Sequence, residues 1–225
     1  MKRLALSLAF MLSALLAAQA AQAGPWLKEQ GKTFVSQSVY LKKNKDFGTS
    51  TYIEHGWRED LTLGVDIGSA NSHLGISSGS LTVFVRRPLT WGREGDKWVY
   101  EVGAGTAWVT DIWLPHLKAG LSWGRGIDWG GRNGWAVVDT ALYLDLTQGR
   151  TASKIDSTLG LNFTDRTSGM LQLYLAHTQG EFFATIAPSV VFRPGKRKFR
   201  VQVGTESALS DMADTAIKLG IWREF

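Results

Sequence analysis

The stretch AIKLGIWREF, residues 216–225, decides the fold. Ile217, Leu219, Ile221 and Phe225 share one parity, and Ala216, Lys218, Gly220 and Glu224 share the other. Alternation of this kind marks a β-strand with one apolar face. Terminal residues of a soluble domain usually fray into water, yet this strand runs on to an aromatic side chain. It needs an apolar neighbour along its whole length. The question is whether that neighbour is a protein core or lipid.

The opposite end of the sequence says where the chain goes. In MKRLALSLAFMLSALLAAQAAQA, Lys2 and Arg3 precede an apolar run from Leu4 to Ala18, and Ala21-Gln22-Ala23 fits a cleavage site. Residues 1–23 therefore read as a secretory signal peptide, with Gly24 the first mature residue. The run is short for a spanning helix, and no stop-transfer segment follows it. Residues 24–225 have the length of one domain. Loss of residues 1–23 removes two bases and no acid, so the formal charge falls from +5 to +3. That mild balance gives no support for nucleic-acid binding. The densest basic cluster, GKRKFR (195–200), reads as a solvated turn in preference to a contact for acidic headgroups. There is no cysteine, so an exported chain must rely on a large core or on a closed hydrogen-bonded barrel. No spacing suggests a zinc site, and no metal or cofactor is expected.

Short alternating runs follow one another through the mature sequence. In LTLGVDIG (61–68), Leu61, Leu63, Val65 and Ile67 oppose Thr62, Gly64, Asp66 and Gly68. HLKAGLSWG (116–124), KIDSTLGLNF (154–163) and KFRVQVGTE (198–206) repeat the pattern. Weaker runs lie at 33–41, 50–57, 80–90, 97–108, 134–146, 169–177 and 181–192, with turns such as GREGDK, GGRNG and RPGKRK between them. The sum is about twelve strands, or ten if weak runs merge. Gln37 and Pro188 depart from the pattern. The predicted fold is an all-β, closed, antiparallel up-and-down barrel.

Alternation alone also fits a soluble sandwich or a ligand-carrying barrel. Three features point the apolar parity toward lipid. With the amino terminus periplasmic, Trp57, Trp91, Trp98, Trp129, Trp135, Phe163, Phe192, Phe199 and Phe225 gather near one set of strand ends. Tyr40, Trp108, Trp113 and Phe182 gather near the other, and two interfacial belts are what a transmembrane barrel presents. The second feature is the other face. It carries Glu54, Asp66, Arg86, Glu101, Lys118, Asp139, Asp145, Asp156, Arg200, Glu206 and Lys218, which become the expected lumen-lining residues. The third is closure, because unpaired backbone groups in hydrocarbon cost several kcal/mol each.

The last strand resembles the carboxy-terminal strand of Gram-negative outer-membrane β-barrel proteins, with Ile217, Leu219, Ile221 and Phe225 as the matching residues. The resemblance implies an outer-membrane location and lipid as a partner. It also implies that this strand is read by the barrel-assembly machinery and closes against the first strand. Arg223, third from the end, departs from the pattern, although an Arg at headgroup level can snorkel.

Membrane barrels of this class include lipid hydrolases that use Ser, His and an orienting group. The best such assembly here is His177 with Glu181 and a loop serine, but no nucleophile motif accompanies it. His177 otherwise reads as an amphipathic interfacial residue. The lumen charges number seven acids against four bases. They either pair to fill the interior or line a narrow pore weakly selective for cations. Three functions stay open: a narrow passive channel or structural barrel, a membrane-embedded lipid hydrolase, and a soluble periplasmic carrier of an apolar ligand. Oligomeric state and transported solute are not legible.

Overall fold

The computed structural model describes residues 24–225, so the expected signal peptide lies outside the described residues. Twelve strands follow in order: β1 (Thr33–Lys42), β2 (Phe47–Arg58), β3 (Leu61–Asn71), β4 (Ser77–Leu89), β5 (Asp96–Val109), β6 (Ile112–Trp129), β7 (Arg132–Asp145), β8 (Thr151–Thr164), β9 (Thr167–Thr178), β10 (Glu181–Phe192), β11 (Phe199–Ala208) and β12 (Asp211–Glu224). Each pairs with its sequence neighbours, and β1 pairs with β12, so the sheet closes on itself. No two runs merge, which settles twelve strands over ten. The strands outgrow their apolar cores in sequence: the runs 61–68 and 80–90 leave 69–79 between them, but only 72–76 lie outside β3 and β4.

Closure uses the residues quoted first. Leu219 pairs with Val39 and Ile217 with Leu41. The Phe225 N–H donates to the Thr33 carbonyl at 2.9 Å, and the Thr33 N–H returns to the Phe225 carbonyl at 3.3 Å. Both ends of the barrel strand series therefore lie at one rim, called here the terminal rim; the other is the far rim. Ile217, Leu219, Ile221 and Phe225 are 50–61% exposed on the outside, whereas Lys218, between them, is 2% exposed. Asp66 and Lys118 are likewise buried inside. The apolar parity faces out and the ionised parity faces in. Such a sleeve suits hydrocarbon and not water, since a continuous apolar band this large would aggregate.

The aromatic belts form with two exceptions. Trp57, Trp91, Trp129, Trp113 and Phe182 are exposed on the outside, and Trp108 stacks on Trp113 at 5.5 Å. Trp135, expected in the belt, instead packs inside against the lumenal cluster of Phe34, Tyr52, Phe84, Met170, Val191 and Trp222. Its ring covers Gly160 of β8, where a Cβ would lie 2.1 Å from it. Tyr40 shares the parity of Ser36 and Ser38 and also turns inward, lining the far mouth beside Lys42 and Glu206.

Pro188 acquires a physical reason. It pairs with Leu171 of β9, but the β10–β11 ladder passes from Ile186–Ser207 to Ser189–Gly204 without it. A residue lacking an N–H is tolerated where the ladder opens. Gln37 faces outward between Thr51 and Ile221, and nothing in the structure explains it.

Candidate functional site

The lumen is closed at mid-depth by charge. Arg86 on β4 donates to Glu54 on β2 and to Glu101 on β5, the latter through Nη2 at 2.7 Å and Nε at 3.2 Å. Lys118 on β6 donates to the other oxygen of Glu101 at 2.5 Å. Tyr52 donates to Glu54 at 2.8 Å, and the Lys118 ammonium sits 5.0 Å from the Phe84 ring centre. All of these groups are 5% exposed or less. The space left beside them, bounded also by Asp139, Tyr143, Lys154 and Asp156, is about 10 Å³, no more than a water's worth. Arg86 and Glu101 are direct cross-strand partners, and because inward residues recur every second position, the ionised groups of β2, β4, β5 and β6 converge in the lumen.

A second element takes part that the strand pattern does not reveal. Residues 24–32 turn back into the barrel from the terminal rim. Gly31 donates to the Gly56 carbonyl at 2.8 Å, and the Gly56 N–H donates to the Lys32 carbonyl at 3.0 Å. The Lys28 N–H donates to Thr62 at 3.1 Å, with the Lys28 ammonium 4.7 Å from the Phe34 ring centre. At the inner tip, the Gly24 carbonyl accepts from Arg86 at 3.1 Å. Two inward glycines make room: a Cβ on Gly56 would lie 2.1 Å from the Glu29 carbonyl oxygen, and one on Gly124 would lie 2.5 Å from Pro25. The segment thus crosses the lumen from β2 toward β6.

The remaining expected lumen residues fall into three groups. Asp156 and Glu206 are inside, paired with Lys154 at 2.9 Å and Lys218 at 2.5 Å. Asp66 and Asp139 are inside, and Asp66 Oδ1, Asp139 Oδ1 and Glu54 Oε2 have no hydrogen-bond partner among the described residues. Asp145 and Arg200 share the inward parity but lie at the two mouths. Asp145 caps the β7–β8 turn by accepting from the Thr147 N–H at 2.8 Å. Lys154 was missed although it opens the run 154–163 on the parity of Asp156; it lies within β8 and moves the lumen tally toward balance. The lumenal tyrosines Tyr52, Tyr143 and Tyr174 were also missed, since tyrosine on a polar parity carries no charge to notice.

At the terminal rim the lumen opens into a vestibule of about 470 Å³. Seven bases and a single acid line it. The β10–β11 turn supplies Arg193, Lys196, Arg197 and Lys198, while Arg166 comes from the β8–β9 turn and Arg200 from β11. The GKRKFR cluster, expected as a solvated turn, is an exposed turn that also walls this cavity.

His177 and Glu181 are not brought together. His177 is on the outer face of β9, cross-strand from Ser153 and Phe182, while Glu181 belongs to the opposite parity of β10. No hydrogen bond joins His177 to Ser153 among the described residues. Elsewhere at the far rim, His73 donates its backbone N–H to Asp46 at 2.8 Å, and its Nδ1 lies 2.8 Å from the same oxygen.

No family model matches the sequence, and no curated protein matches it. Solved structures do resemble the fold. The KdgM porin superposes with a TM-score of 0.60 at 10% identity, over 85% of this chain and 99% of that one. An outer-membrane channel from Pseudomonas putida F1 gives 0.59 at 12% identity, over 92% and 100%. The NanC porin gives 0.54 at 10% identity, over 84% and 97%. At these identities the likeness concerns the fold, which is that of Gram-negative outer-membrane barrels.

Proposed function

We propose that this chain is a narrow passive channel of the outer membrane, held closed in the conformation described by its own amino-terminal segment. The observation that carries this reading is the division of the interior. The wall is a closed sheet, but the seal at mid-depth is completed by residues 24–32, which belong to no wall strand. A purely structural barrel has no need of a separable filling. With the terminal rim on the periplasmic side, the segment enters from the periplasm. Cleavage after Ala23 would leave Gly24 as its tip, and the new ammonium would lie in the cluster that holds Glu54 and Asp139, whose free oxygens could receive it. Porins and a channel share this fold, which supports the reading without fixing a solute.

Planar-bilayer conductance tests it. The full mature protein is expected to show rare, small openings, and deletion of residues 24–31 is expected to raise the open fraction at least tenfold. A silent deletion variant that still migrates as a folded barrel before boiling would leave a structural barrel as the function.

A further inference from the structure

The bases of the mid-lumen are all engaged: Arg86, Lys118, Lys154 and Lys218 each hold a carboxylate. Those of the terminal vestibule are not. No ion pair among the described residues neutralises Arg166, Arg193, Arg197 or Arg200. Positive charge of that density, faced by Glu224 alone and set around a cavity of about 470 Å³, favours a negative occupant. A second, independent feature agrees. Trp222 lines the same cavity and is 3% exposed, yet its indole N–H has no acceptor among the described residues. Buried N–H groups are nearly always satisfied, so one left without an acceptor on a residue that lines a cavity points to an acceptor from outside the chain. Trp222 and Arg200 are direct cross-strand partners on β12 and β11, both on the inward parity. Their side chains therefore leave adjacent positions of the inner wall.

We propose that the vestibule is a binding site for an anionic group, a carboxylate, phosphate or sulfate, received by the Trp222 indole N–H and the Arg200 guanidinium. Guanidinium groups suit such planar or tetrahedral oxyanions because they can donate two parallel hydrogen bonds. The surrounding bases raise the local concentration of the anion without fixing its position. This deepens the channel reading and rests on it: the site stands at one mouth of the lumen, where it would select acidic solutes of small-molecule size. The same chemistry could come from a lipid phosphate at the rim.

The test uses the full mature protein with its tryptophan indoles labelled for NMR. Inorganic phosphate is titrated at ionic strength held constant with sodium chloride, and the Trp222 signal is identified by its loss in Trp222→Phe. Its resonance is expected to move saturably, and Arg200→Gln is expected to weaken binding at least tenfold. Arg193→Gln lies on a turn outside the wall and should weaken binding several-fold without touching the barrel. Nanodiscs distinguish the source. A shift on exchanging phosphatidylcholine for phosphatidylglycerol, with no phosphate added, assigns the occupant to lipid; no such shift assigns it to a free solute. A Trp222 signal that follows phosphate no more than chloride, and ignores lipid charge, overturns the site. So does unchanged binding in both arginine variants. Conductance measured in parallel separates the two ideas. Binding without conductance sinks the channel and leaves the site, and conductance without binding does the reverse.

Discussion

Arg86 shows what a single buried charge does in this lumen. It holds two carboxylates from two other strands and the carbonyl of Gly24. Its removal leaves Glu54 and Glu101 buried, hydrogen-bonded only by Tyr52 and Lys118 among the described residues. Breaking one side of a buried ion pair costs about 3–5 kcal/mol. Arg86→Met is expected to lower the temperature at which the barrel loses its fast-migrating form, measured by electrophoresis after graded heating. The double variant Arg86→Met/Glu54→Gln should recover part of that loss, because a neutral Glu54 position needs no counter-charge and Glu101 keeps Lys118. Equal losses in both would show that Arg86 acts by packing. Most of this cluster was legible, since parity alone places a charge inside or outside a strand. Trp135, Tyr40 and Lys154 were not. The first two follow from inward parity, but an aromatic near a strand end looks the same whether it faces lipid or lumen. Lys154 stood at the first position of its run, where a lysine reads equally as turn or as strand.

Among the elements, the amino-terminal segment is the one sequence reading could not find. Nine residues without alternation carry no periodic signal, and GPW looks like an ordinary leader into a first strand. The only trace is indirect: Gly56 and Gly124 occupy inward positions where a side chain would meet the segment. That trace yields a prediction. Gly56→Leu is expected to expel residues 24–32 while leaving the wall intact, because the atoms nearest the added side chain are the carbonyls of Lys28 and Glu29. Trypsin should then cut at Lys28 and Lys32 in the folded barrel, and conductance should match that of the deletion. Protection of both sites in the variant would mean the segment is held by more than this contact. At the far rim, two loops are tied through Asp46. Burial raises its pKa, but hydrogen bonds from the His73 N–H, the His73 ring and Asn44 outweigh it, and the net direction is down from 3.8. A depressed carboxyl stabilises fully above its unfolded pKa and loses that contribution as pH falls through the folded value. The loops 43–46 and 72–76 should therefore stay protected from hydrogen exchange at pH 5 and open below about pH 3, the region under the ordinary Asp range. Asp46→Asn should remove this pH step; a step that persists in the variant would have another origin.

For the whole molecule the controlling quantity is the two-residue period, because it assigns every side chain of a strand to one of two solvents. This is why the fold could be read at all: twelve alternating runs, with the charges of the strand middles on one parity and the exceptions such as Arg223 at strand ends, admit one arrangement in which no charge meets hydrocarbon and no backbone group goes unpaired. The interior was harder. Which charges pair, where the lumen narrows and which mouth is basic depend on stagger between strands, and that is set by pairing across the sheet, not by any one run. Leu219 and Lys218 put the period itself to a test. They are adjacent on β12, one facing out and one in. Leu219→Arg places a cation on the lipid face near mid-strand, where the cost is about 2–4 kcal/mol. Lys218→Leu removes a cation from the interior and strands Glu206, its partner at 2.5 Å. In folding titrations into phosphatidylcholine vesicles, Leu219→Arg should lose stability by that amount in a thick bilayer and by less in a thin one, as the strand's midpoint nears the interface. Lys218→Leu should lose stability by an amount indifferent to bilayer thickness, since its neighbours are protein. Thickness dependence in the Lys218 variant, or none in the Leu219 variant, would mean that the two faces of β12 have been assigned to the wrong solvents.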